Sequence, residues 1–164
     1  MRIGIIIIFH NDEKKINTNS FIKYCNKTER IEFCLVNNHS KDDTYFVLKE
    51  IKAQCNNVSV VNIKKFKADN QAIKAGARYM FNHTNFNHIG YISMSILNKT
   101  NGVLMTLLET INKNQNAIAT YNAMVLSSRE VKQTMFQKLF SVIDHLTQLN
   151  LENQYIESRL SGKY

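Results

Sequence analysis

The chain contains no proline, although average usage is about 5%. Asn and Lys are abundant, so a coding bias towards A and T accounts for this, and no structural mechanism attaches to it. Its three cysteines, Cys25, Cys34 and Cys55, have neither CxxC spacing nor an even count. That argues against a disulfide framework and for buried free thiols in a reducing compartment. Nowhere does an apolar run approach the roughly 20 residues a transmembrane helix needs. The run Ile3 to Phe9 is too short for a secretory signal, and acidic residues follow it rather than a cleavage site. A cytoplasmic location without a transmembrane segment is the expectation. Acids are scarce, 13 Asp and Glu against 21 Lys and Arg, so the net charge of +8 favours anionic partners. The cations are scattered, however. Their tightest cluster is Lys64, Lys65 and Lys67, and no aromatic-rich stacking motif accompanies it, so nucleic acid is not expected as a partner. Internal repeats, low-complexity stretches and linkers are missing as well.

What remains is 164 residues with an ordinary 44% hydrophobic fraction, enough for one domain, 1–164, with a sizeable core. Ile3 to Phe9 and Ile31 to Val36 are continuous apolar runs, the pattern of strands buried on both faces of a parallel sheet. Val58 to Ile63, His88 to Met94 and Ala117 to Leu126 are predicted as three further strands. Helices are predicted within Asn11 to Cys25 and over Ser40 to Gln54, Asn70 to Asn82 and Asn101 to Asn112. A long helix is predicted from Ser127, capped by a Ser127…Glu130 box, to about Asn150. Strands and helices thus alternate, and right-handed crossovers make the fold class α/β, a three-layer α/β/α sandwich around a mostly parallel sheet. The tail from Leu151 to Tyr164 fits no element, and the chain reads as truncated after the core.

Two junctions point to a site. The first strand runs into His10-Asn11-Asp12-Glu13, and the second into Asn37-Asn38-His39-Ser40-Lys41-Asp42-Asp43-Thr44. Ligands of open α/β sheets bind beyond the carboxyl ends of the strands, so two adjacent polar loops suggest one shared pocket. At these residues the chain resembles family 2 glycosyltransferases of the GT-A, nucleotide-diphospho-sugar transferase-like fold. Ile6 to Glu13 resembles the opening strand and its "P-x-Y-N-E" loop, with Phe9 in place of proline. Leu35 to Thr44 resembles "V-D-D-G-S-x-D-x-T". Ala72-Ile73-Lys74-Ala75-Gly76 is similar to the "A-L-K-A-G" helix of the polyprenyl-phosphate sugar transferases. Ile89 to Ser95 resembles "I-G-Y-M-D-A-D", Leu126 to Arg129 the "G-S-R" of that branch, and Leu160 to Tyr164 its "G-x-K-L". The resemblance covers nearly the whole chain in the correct order.

It implies a sugar-nucleotide site formed by Phe9, His10, Asn11, Asp12, Asn37, Asn38 and Lys74, and transfer of a sugar from a nucleoside-diphosphate sugar. The departures fall on the chemistry. Amides Asn37 and Asn38 replace two acids; they can hydrogen-bond a base or ribose but carry no charge. His39 replaces the glycine. Ser93 and Ser95 stand at the positions of the metal-binding Asp-x-Asp, and hard divalent cations want carboxylate oxygens. No cofactor is therefore expected, with Mg²⁺ or Mn²⁺ entering only through an acidic site elsewhere. No catalytic residue is assigned, since Glu109 lies in a predicted helix and Glu130 is explained by capping. Lys64, Lys65, Lys67 and Lys74 could neutralise a leaving diphosphate in place of metal. His10 and His39 lie on adjacent loops, while Asp42, Asp43 and Asp69 read as helix-start or surface acids. The alternative is a catalytically degenerate domain acting as a binding or scaffold module. Its route to a homodimer is the 127–150 helix, whose Val131, Met135, Leu139, Val142, Leu146 and Leu149 form a near-heptad stripe.

Overall fold

All seven residues of Ile3–Phe9, here β1, are buried. A strand covered on both faces needs no polar alternation, so the continuous apolar run marks the centre of a parallel sheet. The computed structural model describes residues 2–156; the "G-x-K-L"-like segment Leu160 to Tyr164 lies outside them. After β1 come α1 (Thr18–Lys27), β2 (Ile31–Asn38), α2 (Thr44–Gln54), β3 (Val58–Ile63), α3 (Asp69–His83) and β4 (His88–Ser93). Then follow α4 (Met94–Lys99), α5 (Leu104–Lys113), α6 (Gln115–Ser127), β5 (Phe140–Ser141) and α7 (Val142–Gln148). The five strands are all parallel in the order β3-β2-β1-β4-β5. The strand order reverses beside β1, which pairs β2 up to Phe9↔Asn37 and β4 up to Ile8↔Ser93. The expected three-layer α/β/α sandwich is thus what forms.

Period-two alternation divides the strand residues between two cores. Ile3, Ile5, Ile7 and Phe9 of β1 join Phe33 and Leu35 of β2 under α1, α2, α5, α6 and α7. Ile6 and Ile8 join Cys34 and Val36 under α3. α3 comes close to the sheet because Gly76 has no side chain. A Cβ there would stand 2.7 Å from Ile6 Cγ2 and 3.0 Å from Val36 Cγ2. Cys25, Cys34 and Cys55 are free and buried. Burial pushes their thiols up, that of Cys34 to about 12, so none is a ready thiolate. Among the described residues, no helix is long and apolar enough to cross a membrane.

The carboxyl-terminal third differs from expectation. Ala117 to Leu126 is not a strand but lies within α6. Its buried residues Ile118, Ala119 and Asn122 recur at helical spacing, and a short apolar run does not by itself separate the two periods. The predicted 127–150 helix does not exist either. Ser127 ends α6 instead of capping a new helix, and its Oγ donates to the Met124 carbonyl. Side chains then take over the backbone's partners. Arg129 donates to the Gln137 carbonyl, and the Thr134 N–H donates to Gln137 Oε1. Phe140–Ser141 next adds an edge strand to β4, and Ser141 Oγ caps α7 by accepting from the Asp144 N–H. The near-heptad stripe is dispersed: Val131 is 78% exposed, whereas Val142 and Leu146 are buried. The homodimer route through that helix is withdrawn with it.

A buried polar bridge joins the new elements. Asn122 Nδ2 donates to His88 Nδ1 at 2.8 Å, and His145 Nε2 donates to Asn122 Oδ1 at 3.2 Å. Phe140 stacks on His145 at 4.4 Å. Burial lowers both histidine pKa values below 6.5, although Asp144 opposes this at His145. Each therefore holds a proton less tightly in the folded chain than in the unfolded one, and the unfolded chain binds more protons as pH falls through 6.5. Stability should be full above that pH and decline beneath it, by at most about 1.4 kcal/mol per pH unit for each histidine. Urea unfolding across that range reads this, and His145→Gln should flatten the slope. A second expectation concerns Gly76→Ala. Helix propensity would gain about 1 kcal/mol, but overpacking against two stiff β-branched side chains costs about 1–3 kcal/mol. The variant should be less stable than the parent in the same urea assay.

Candidate functional site at the carboxyl edge of the sheet

The loops after β1 and β2 are knitted together. His10 Nδ1 is 2.7 Å from the Asn38 carbonyl, the Asn11 N–H donates to Ser40 Oγ, and the Lys41 N–H donates to Asn11 Oδ1. The Asp12 N–H donates to Thr44 Oγ1, whose own hydroxyl donates to Asp42 Oδ1 at 2.6 Å. The Glu13 N–H donates to Asp42 Oδ2, and the Asp43 N–H donates to Glu13 Oε2. Each loop carries one residue in the left-handed region, Asn11 at φ 54° and His39 at φ 54°. His39 therefore takes the conformation for which glycine is the cheapest residue.

Of the predicted nucleotide-site residues, His10, Asn11, Asp12, Asn37 and Asn38 meet at this edge, and most are occupied by partners within the protein. Phe9 is fully buried in the core. Asp12 is 6% exposed, and its carboxylate accepts from the His10 N–H and Asn98 Nδ2. Desolvation raises its pKa despite those bonds. Asp42 moves the other way: partial burial opposes its charge, but hydrogen bonds from Thr44 and the Glu13 N–H outweigh burial and lower its pKa. Asn37 donates to Asn62 Oδ1 across the β2–β3 pair. Asn38 grips the loop before α3 from both sides, donating to the Lys67 carbonyl and accepting from the Lys67 N–H. An amide can do both, whereas a carboxylate has no donor. Lys74 is elsewhere: it lies in the second turn of α3, its ammonium 5.7 Å from the centroid of the Phe136 ring.

Ser93 and Ser95 converge on an acid that the sequence did not single out as functional. Ser93 Oγ donates to Asp69 Oδ2 at 2.6 Å and Ser95 Oγ donates to the same oxygen at 3.1 Å; the two hydroxyls are 2.8 Å apart. Asp69 opens α3, where an acid reads simply as a dipole partner. Its sequence carries no sign that the end of β4 lies alongside. The donor set does not fit the Mg²⁺ or Mn²⁺ of the resembled family, since it offers one carboxylate and two neutral hydroxyls that already bond it. Among the described residues, no three His, Cys, Asp or Glu side chains gather into a candidate metal centre.

The crevice beyond the β1 and β4 ends, where the strand order reverses, is the ligand position of such sheets. A cleft of ≈ 320 Å³ lies there, lined by Lys15, Met94, Asn98, Asn101, Gly102 and Leu104 among others. Lys15, Asn98 and Asn101 supply its polar groups, and none of the three belonged to the expected site. They precede or follow the strand-end motifs and carry no pattern of their own. No protein-family model and no curated protein matches the chain.

Asn38→Ala should destabilise the fold by about 1–3 kcal/mol, the cost of leaving buried polar groups unpaired. Asn38→Asp should not restore it at neutral pH, because its carboxylate would face the Lys67 carbonyl. Chemical unfolding of both variants reads this. Parental stability in Asn38→Asp would show that the donor to Lys67 is dispensable.

Proposed function

We propose that this chain is a GT-A-like domain of glycosyltransferase family 2 descent that works as a binding module for a nucleoside-diphosphate ligand rather than as a metal-dependent transferase. The observation that carries the reading is the Ser93–Asp69–Ser95 cluster. Where the resembled family presents carboxylates to a metal-bound diphosphate, this chain presents hydroxyls bonded to a single acid. The self-satisfied loops support the same reading, since Asp12, Asn37 and Asn38 are committed to holding the edge together. The ligand's place is the cleft beside β1 and β4. There Lys15 offers a charge to a phosphate, and the Asn101 amide and the Asn98 carbonyl oxygen offer hydrogen bonds to a base or sugar, Asn98 Nδ2 being held by Asp12. Transfer with lysine in place of metal is the weaker reading, because Lys74 stands over Phe136 on the flank of α3.

Calorimetric titration with UDP, GDP and UDP-sugars, with and without Mn²⁺, tests this. Binding should be indifferent to Mn²⁺ and weaken in Lys15→Ala, by about 1.5–3 kcal/mol if that ammonium bonds a phosphate. Sugar release that requires Mn²⁺ would sink the binding-module reading. Absence of binding to every nucleotide would sink the choice of ligand.

A further inference from the structure

The cations look scattered along the sequence, but folding gathers them. Residues 64–78 carry Lys64, Lys65, Lys67, Lys74 and Arg78 against the single acid Asp69. Residues 129–138 carry Arg129, Lys132 and Lys138 against Glu130. Together these two stretches carry a net charge of +6, against +8 for the whole chain. Phe136 brings them side by side. Its ring lies under Lys74 at 5.7 Å and Arg78 at 5.5 Å, and with Leu139 it packs against the core beneath α3. Ion pairing does not cancel the charge, because the one salt bridge among the described residues is Arg2–Glu32, outside both stretches.

The same two stretches expose apolar side chains. Phe66 is 55% exposed, Val131 78% and Met135 44%. A groove of ≈ 380 Å³ runs along α3 between Ile63, Lys67, Gln71, Lys74, Ala75 and Arg78, so three cations line it. We propose that the outer face of α3, together with the adjoining 128–139 segment, docks on an anionic lipid bilayer. Cations paired with exposed aliphatic and aromatic side chains suit an interface in which headgroups meet the charges and acyl chains meet the apolar groups. Nucleic acid fits less well. Stacking successive bases needs a row of exposed aromatic platforms, and here Phe66 is exposed but Phe136 is half-buried beneath its two cations.

Sedimentation of the full chain with vesicles tests the surface. One set is phosphatidylcholine alone; the other mixes it in equal parts with phosphatidylglycerol. The chain should sediment with the mixed vesicles only, and added salt should release it. Arg78→Ala and Lys132→Ala should each weaken binding about fivefold, and Val131→Ser with Met135→Ser should weaken it further, all with an unchanged circular dichroism spectrum. A chain that stays in the supernatant with both vesicle types overturns the proposal, as does undiminished binding by the Arg78→Ala, Lys132→Ala double variant. Displacement from mixed vesicles by a single-stranded oligonucleotide whose binding depends on the same cations also overturns it, and makes nucleic acid the partner.

Discussion

The hydrogen bonds between the loops after β1 and β2 are the constraint on which the carboxyl edge depends. They run from His10 against the Asn38 carbonyl to Asp43 against Glu13, and they include three main-chain N–H groups of the first loop. Each such bond has a net worth of only about 0.5–1.5 kcal/mol, but leaving its buried partner unpaired costs more. The loops are therefore held as one unit. Polar residues that read as ligand-binding groups in isolation are here the partners of other loop residues. That is why the polar groups lining the crevice lie one step outward, at Lys15, Asn101 and Asn98, the last also donating to Asp12.

α3 is tied to the loops and to the sheet beneath them at three places. Asn38 holds the main chain of Lys67 just before the helix. Asp69 receives the two serines at the end of β4. Gly76 lets the helix settle on Ile6 and Val36. With its inner face committed to the sheet, the helix turns Lys74 and Arg78 outward, towards the 128–139 segment. The basic face of the molecule is thus a by-product of how α3 is anchored.

The early strands were legible because burial on both faces leaves an unmistakable apolar run, as at Ile3–Phe9. His39, which stands at the glycine of the resembled motif, adopts the left-handed backbone at φ 54°. The region after Lys113 was not legible. Ile118 and Ala119 satisfy a strand pattern and a helix pattern alike, and in the folded chain the helix places Asn122 between His88 and His145. The stripe from Val131 to Leu149 had helical spacing, yet Arg129, Thr134 and Gln137 bond the main chain locally and break it.

By itself, the sequence determined the α/β class, the central strands, the polar loops at their ends and the lack of acids at Ser93 and Ser95, because these depend on local composition and short-range period. Tertiary structure decided what those residues touch. The acid beside the serines is 24 positions earlier in the chain, and the two basic stretches lie some fifty residues apart in sequence. Contacts of that range follow from strand order and helix packing, which no local pattern encodes.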